Sequence, residues 1–178
     1  MGKYEFIPMI KQTEIISRIE ELAEKISNDY KGQNLHCVCV LKGAVIFMSQ
    51  LLKRIKHDNL TIDYISVSSY GEGGRESSGI VKILKDVDGS IEGKNVLIVE
   101  DILDTGNTLD RLIAIFKTRN PNSIKICTLL DKPSRRLKPV NPDYVGFTID
   151  NVFVLGYGLD FDEYYRNLPY VAKAVEKN

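Results

Sequence analysis

An unbroken apolar run, Val96-Leu97-Ile98-Val99, ends in two adjacent carboxylates, Glu100 and Asp101, and this junction constrains the fold more than any other stretch. A small polar turn follows, Thr105-Gly106-Asn107-Thr108, and then Leu109-Asp110-Arg111-Leu112-Ile113-Ala114-Ile115-Phe116 spaces its apolar residues for a helix. A run apolar at every position is a strand covered on both faces. Such a strand delivers its acids to its C-terminal tip, and the next helix begins with backbone amides free to hold an anion. Acids suited to a diol or a metal stand beside amides suited to a phosphate.

The same alternation runs through the chain. Residues 11 to 31 read as an amphipathic helix capped by Thr13, with Ile15, Ile16, Ile19, Leu22, Ala23, Ile26 and Tyr30 on its apolar face. Leu35 to Leu41 is a strand, Lys42-Gly43 breaks it, and Ala44 to Ile55 is a second helix. Leu60 to Ser69 and Ile80 to Leu84 read as paired strands joined by Tyr70 to Gly79, a glycine-rich polar stretch expected to be a mobile flap. The helix after the Thr-Gly turn is stopped near Arg119 by Asn120-Pro121. Strands follow at Ser123 to Leu130, Tyr144 to Ile149 and Val152 to Leu155, and the segment from Tyr164 to Tyr170 reads as irregular or briefly helical. Apolar strands alternating with helices predict an α/β fold with a mainly parallel twisted sheet flanked by helices. Ligands of such sheets gather beyond the strand C-termini, here Lys42, Ser69-Tyr70, Glu100-Asp101, Asp131-Lys132 and Gly156.

Composition narrows the partners. At 178 residues the chain fits one domain with a real core. Its 24 Lys plus Arg balance 24 Asp plus Glu, so no overall basic field draws it to nucleic acid. No apolar run approaches the roughly 20 residues of a membrane helix, and the first residues lack a signal-peptide core. The opening Met1-Gly2 is no lipidation signal, because position 6 is Phe6. Cys37, Cys39 and Cys127 sit in strand-like runs and read as reduced, buried thiols of a cytoplasmic protein; zinc is disfavoured because no second ligand pair is in view.

Several side chains carry candidate chemistry. Pleating alone would turn Glu100 and Asp101 to opposite faces, but the twist at a strand end lets both approach a ribose diol or Mg²⁺; one could instead serve only the helix dipole. Gly106 lets the Thr105–Thr108 turn close on a phosphate, although a ligand-free Thr-rich cap has the same appearance. It is no Walker loop, since no Gly-Lys-Ser/Thr occurs. Asp104 stands between acids and turn, where a carboxylate can take a proton from a base docked above the sugar, or serve only as a solvated loop acid. Lys42-Gly43 suits a second anion or a plain surface turn. Lys132 suits donation to a carbonyl oxygen, while Arg135, Arg136 and Lys138 read mostly as a solvated basic face. Phe153 reads as core by pattern, with stacking on a heterocycle as the alternative. Periodicity places neither Asp160 nor Arg166.

The segment Val99-Glu100-Asp101-Ile102-Leu103-Asp104-Thr105-Gly106-Asn107-Thr108-Leu109 resembles the sugar-diphosphate motif of type I phosphoribosyltransferases. Asp104, where the adenine enzymes carry a small residue, is the pattern of the hypoxanthine(-guanine) branch. Leu41-Lys42-Gly43-Ala44, Ser69-Tyr70-Gly71, Leu130-Asp131-Lys132-Pro133, and Phe153 to Asp160 with Glu163-Tyr164-Tyr165-Arg166 agree in the same order. The resemblance implies transfer of 5-phosphoribosyl from 5-phosphoribosyl 1-diphosphate to N9 of hypoxanthine and guanine. A xanthine-preferring enzyme and a non-catalytic sensor of the sugar diphosphate are its rivals. Carried over by position, Glu100 and Asp101 meet the ribose hydroxyls and Mg²⁺, Asp104 accepts the purine proton, and Thr105, Gly106, Asn107 and Thr108 wrap the 5′-phosphate. Lys42 and Gly43 hold diphosphate, with the Leu41–Lys42 peptide often cis, and Ser69 and Tyr70 belong to the flap. Lys132 reads the 6-oxygen, Phe153 stacks, Val154 recognises the ring edge through its backbone, Asp160 helps hold a second Mg²⁺ and Arg166 touches diphosphate. Asn107 departs from members with a basic residue there, so this turn leans on amides and neutral groups. The resemblance also implies a core over about 35–150, a small hood from the N-terminal segment and about 151–178, an antiparallel flap, and assembly as a homodimer or homotetramer.

Overall fold

The computed structural model describes residues 3–70 and 80–177, and at residues 69, 70, 80 and 81 the backbone alone. The order is β1 (Tyr4–Ile10), α1 (Gln12–Asp29), β2 (Leu35–Leu41), α2 (Val45–Leu52), β3 (Leu60–Tyr70), β4 (Ile80–Lys85), β5 (Asn95–Leu103), α3 (Asn107–Lys117), β6 (Ser123–Asp131), β7 (Tyr144–Thr148), β8 (Val154–Leu155) and β9 (Val171–Glu176). A six-stranded sheet runs β4-β3-β2-β5-β6-β7, and a three-stranded sheet runs β1-β9-β8. In the larger sheet only β4 is antiparallel to its neighbour. The expected α/β architecture with a mainly parallel sheet is therefore the observed one.

Strand pleating divides the core. Cys37 and Cys39 of β2 and Leu97 and Val99 of β5 pack with Ile15, Ile19, Leu22 and Ile26 of α1 and Phe47 and Leu51 of α2. The alternate residues, Val38 and Val40 of β2 and Val96 and Ile98 of β5, pack with Leu109, Leu112 and Phe116 of α3. This is why both strands are apolar at every position. Cys37, Cys39 and Cys127 are free and buried, and burial pushes the Cys37 thiol up to about 12, leaving it unreactive.

Element ends differ from the sequence reading in informative ways. The N-cap of α1 is Lys11, not Thr13; the Glu14 carboxylate accepts the Lys11 N–H at 2.9 Å, so the acid three residues on closes the end. The second helix spans Val45–Leu52 rather than Ala44 to Ile55. The strand after Asn151 is shorter than expected, Val154–Leu155. The N-terminal segment forms strand β1 paired antiparallel with β9, a pairing across the whole chain that no local pattern announces. The β3–β4 pairing reaches Tyr70↔Ile80, and the expected mobile flap over 71–79 lies outside the described residues.

The most consequential difference is in β5. It continues through Leu103, so Glu100 and Asp101 lie inside the strand rather than at its end. Its ladder with β2 stops at Cys39↔Val99, whereas its ladder with β6 continues to Leu103↔Asp131. Residues 100–103 thus form a shelf held from one side, and the β2 chain turns away at Lys42-Gly43 to leave space above it.

Candidate active site

Above that shelf is a cavity of about 450 Å³ lined by Lys42, Gly43, Glu100, Asp101, Asp104, Thr105, Gly106, Thr108 and Asp160, with apolar neighbours that include Val40, Val67 and Leu109. Both adjacent acids reach it, as the strand-end argument anticipates, although they do so from within the strand. Burial, and then the neighbouring Asp101 charge, raises the Glu100 carboxyl well above the usual range. Burial also raises Asp101. The Oδ1 of Asp101 accepts the Ile102 N–H at 2.7 Å, and its Oδ2 faces Gly43 so closely that a Cβ there would overlap it. Gly43 is thus required by the approach of the turn to a carboxylate. The Leu41–Lys42 peptide is cis.

The turn after β5 ends in Gly106, the N-cap of α3, with φ +83°. A left-handed residue here aims the following N–H groups outward from the helix end. The segment after β6 supports this turn. Leu137 and Lys138 donate their N–H groups to Thr105 O at 2.9 and 3.1 Å. Arg136 Nη1 donates to Leu103 O at 3.1 Å and also bonds Asp104 O, while its Nη2 ion-pairs with buried Asp131. The basic face read as solvated is therefore only partly so: Arg136 bolts the shelf to β6, and Arg135 pairs with Asp104 at 3.1 Å. The roles of Arg135 and Arg136 are not readable from the sequence, because Asp104 lies 31 residues from Arg135 and Leu103 lies 33 residues from Arg136.

At the other rim, Lys42 Nζ lies 2.8 Å from Glu163 Oε2. Arg166 Nη2 lies 2.8 Å from Asp160 Oδ1 and 3.4 Å from Glu163 Oε1, and its Nη1 donates to Gly158 O at 2.9 Å. Asp160 Oδ2 accepts the Glu163 N–H at 2.9 Å. Lys42, Asp160 and Arg166 are thus brought together, and Glu163, which the sequence reading did not select, joins them.

Lys132 is buried. Its N–H donates to Leu103 O at 3.0 Å, which ties it to the shelf, and its Nζ donates to Val152 O at 2.7 Å. Burial lowers the lysine's affinity for its proton. Val154, the residue after Phe153, is buried. Phe153 is 55% exposed, which corrects the core reading. Its ring meets Phe161 edge to face, centroids 5.5 Å apart, and Phe161 in turn meets Tyr4 at 5.2 Å and Phe6 at 5.7 Å. The N-terminal strand thereby buttresses the exposed ring. Asn107 opens α3, its N–H 3.4 Å from Thr105 Oγ1, and does not line the cavity. The side chains of Ser69 and Tyr70 are outside the described residues; their backbones pair with Val81 and Ile80.

A family model for the phosphoribosyl transferase domain matches residues 9–162. The chain belongs to that family. It is 50% identical over 169 residues to the hypoxanthine-guanine phosphoribosyltransferase of Streptococcus thermophilus, covering 95% of this chain and 93% of the relative. Among solved structures, a hypoxanthine phosphoribosyltransferase from Staphylococcus aureus superposes with TM-score 0.91 at 48% identity, covering 94% of this chain and 90% of the other. A hypoxanthine-guanine phosphoribosyltransferase from Bacillus anthracis gives TM-score 0.90 at 44% identity, with 97% and 99% covered.

A divalent cation fits the donor set. Glu100 and Asp101 present hard oxygen ligands whose mutual repulsion and burial a dication would offset. Among the described residues no group of three or more potential ligands converges on a point. A Mg²⁺ held by one or two carboxylates and completed by substrate oxygens and water needs no such cage.

One prediction follows from the aromatic buttress. Phe161→Ala removes the edge-on support of Phe153, a contact of about 0.5–1.5 kcal/mol. With Phe153 in the purine-stacking role that the resemblance implies, the KM for the purine should rise roughly two- to tenfold, with kcat changing less, as steady-state kinetics at saturating sugar diphosphate would show.

Proposed function

We propose that this protein is a purine-salvage enzyme, a hypoxanthine(-guanine) phosphoribosyltransferase that moves 5-phosphoribosyl from 5-phosphoribosyl 1-diphosphate to N9 of the base and releases diphosphate. The observation that carries the reading is one strand-turn-helix: Glu100, Asp101, Asp104, Thr105, Gly106 and Thr108 all face a single cavity. The hypoxanthine-guanine name of a relative at 50% identity supports it over a xanthine-preferring enzyme or a non-catalytic sensor.

In this reading the amides of residues 105–108 hold the 5′-phosphate at the α3 N-terminus, and Glu100 and Asp101 accept from the ribose hydroxyls. Lys42, the Gly43 backbone and Arg166 hold the diphosphate. As the C1′–O bond breaks, the sugar gains oxocarbenium character, and Lys42 and Arg166 stabilise charge growing on the leaving group. Asp104 accepts the purine proton as N9 bonds to C1′. Lys132 donates to the 6-oxygen, Phe153 stacks on the ring and Val154 presents its backbone to the ring edge. Ser69 and Tyr70 belong to the segment that closes over the site and excludes water. Glu100, Asp101 and Asp160 would hold Mg²⁺, which when bound neutralises part of the diphosphate charge.

The reading extends to one domain over residues 1–178, in a cytoplasmic homodimer or homotetramer that binds neither nucleic acid nor membrane. No helix among the described residues is long and apolar enough to cross a membrane. The deciding experiment is a panel of hypoxanthine, guanine, xanthine and adenine with the sugar diphosphate and Mg²⁺, following nucleotide formation. Turnover of hypoxanthine and guanine is the expected result; turnover of adenine alone, or of no base, overturns the assignment.

A further inference from the structure

We infer that Glu163 is an internal occupant of the diphosphate subsite, a carboxylate that holds the two cations of that subsite when no ligand is bound and must swing out when diphosphate enters. This inference rests on the proposed function, since it takes Lys42 and Arg166 as the diphosphate-holding cations.

The geometry is specific to this residue. One oxygen of Glu163 lies 2.8 Å from Lys42 Nζ and the other 3.4 Å from Arg166 Nη2, so a single carboxylate bridges both cations. The bridge joins the turn after β2 to the segment after β8, which no backbone ladder connects. Lys42, with Arg166 as a further contributor, holds the Glu163 carboxyl below the usual range, as expected of an anion between two cations. The Glu163 backbone is fixed by its N–H to Asp160 Oδ2, while its side chain is 66% exposed and free to rotate into solvent. Anchored main chain with a solvated head is the form a displaceable group needs.

Electrostatics then requires displacement. A diphosphate oxygen taking the place of either carboxylate oxygen brings further negative charge within a few ångströms of Glu163, and like charges at that range repel. Binding must break the Glu163 contacts before it gains its own, so part of the ligand's affinity is spent on the exchange. On product release the carboxylate re-forms the bridge and competes with rebinding of diphosphate. Glu163 therefore weakens binding of the leaving group, and removing its charge should tighten it.

The test uses the intact protein and Glu163→Gln, with binding of inorganic diphosphate and of inosine 5′-monophosphate measured by titration calorimetry in Mg²⁺ buffer. An exposed ion pair contributes modestly, so the expected tightening for diphosphate is about fivefold, with a matching fall in KM for the sugar diphosphate. Binding of inosine 5′-monophosphate, which lacks the diphosphate, should move less than about twofold. Equal or weaker diphosphate binding by the variant overturns the inference, as does equal tightening of both probes, which would mark a general structural effect. If the unsubstituted protein binds inosine 5′-monophosphate but not diphosphate, the subsite itself is misassigned and the inference falls with it. Failure to bind either probe instead sinks the proposed function.

Discussion

Asp104→Asn is expected to lower kcat by about 10²- to 10⁴-fold, the usual contribution of a positioned general base, while the KM values for purine and sugar diphosphate change only a few-fold. The substitution keeps shape and volume, and an amide oxygen can still accept a hydrogen bond from Arg135. It cannot accept the purine proton. Asp104 lines the cavity directly after the shelf, and its carbonyl is held by Arg136. The main chain should therefore stay in place when the side chain is altered, so that the loss reports proton transfer rather than misfolding. Single-turnover measurement separates chemistry from product release. A variant with the parent's single-turnover rate would remove Asp104 from the proton path.

Gly43→Ala should be nearly as damaging for a different reason. The added Cβ would overlap Asp101 Oδ2, and Asp101 cannot yield cheaply, because Oδ1 accepts the Ile102 N–H at 2.7 Å within β5. Either the carboxylate rotates away from its place in the cavity or the Lys42-Gly43 turn lifts. A displacement of about an ångström at a reacting group is worth roughly 10²-fold in rate, so kcat/KM for the sugar diphosphate should fall by at least that factor. Overpacking should also cost about 1–3 kcal/mol of stability, visible as a lowered Tm. A variant with unchanged kcat/KM would show that the turn is more compliant than its contacts imply.

How much of this was legible in the residues follows from the range of each interaction. The apolar run before Glu100 declares a buried strand, and Gly106 before a helical repeat declares an anion-ready helix end; both are messages carried by neighbours in the chain. The extension of β5 through Leu103 was not readable, because it depends on β6 continuing its ladder to Asp131 while β2 stops at Cys39. Phe153 illustrates the same limit. Flanked by Val152 and Val154 it looks like core, and only the antiparallel β8–β9 pairing leaves it on the outer side with Phe161 as its support.

The sequence by itself determined the alternation of strand and helix, the acids and the turn of the cavity, because these are encoded by adjacent side chains and backbone preferences. Tertiary structure alone decided that Arg136 secures the shelf, that Glu163 bridges Lys42 and Arg166, and that β1 closes against β9 to brace the aromatic wall. Apart from the local Glu163–Arg166 pair, those contacts join residues far apart in the chain, and charge or aromatic character carries no address for its partner until folding brings the two within reach.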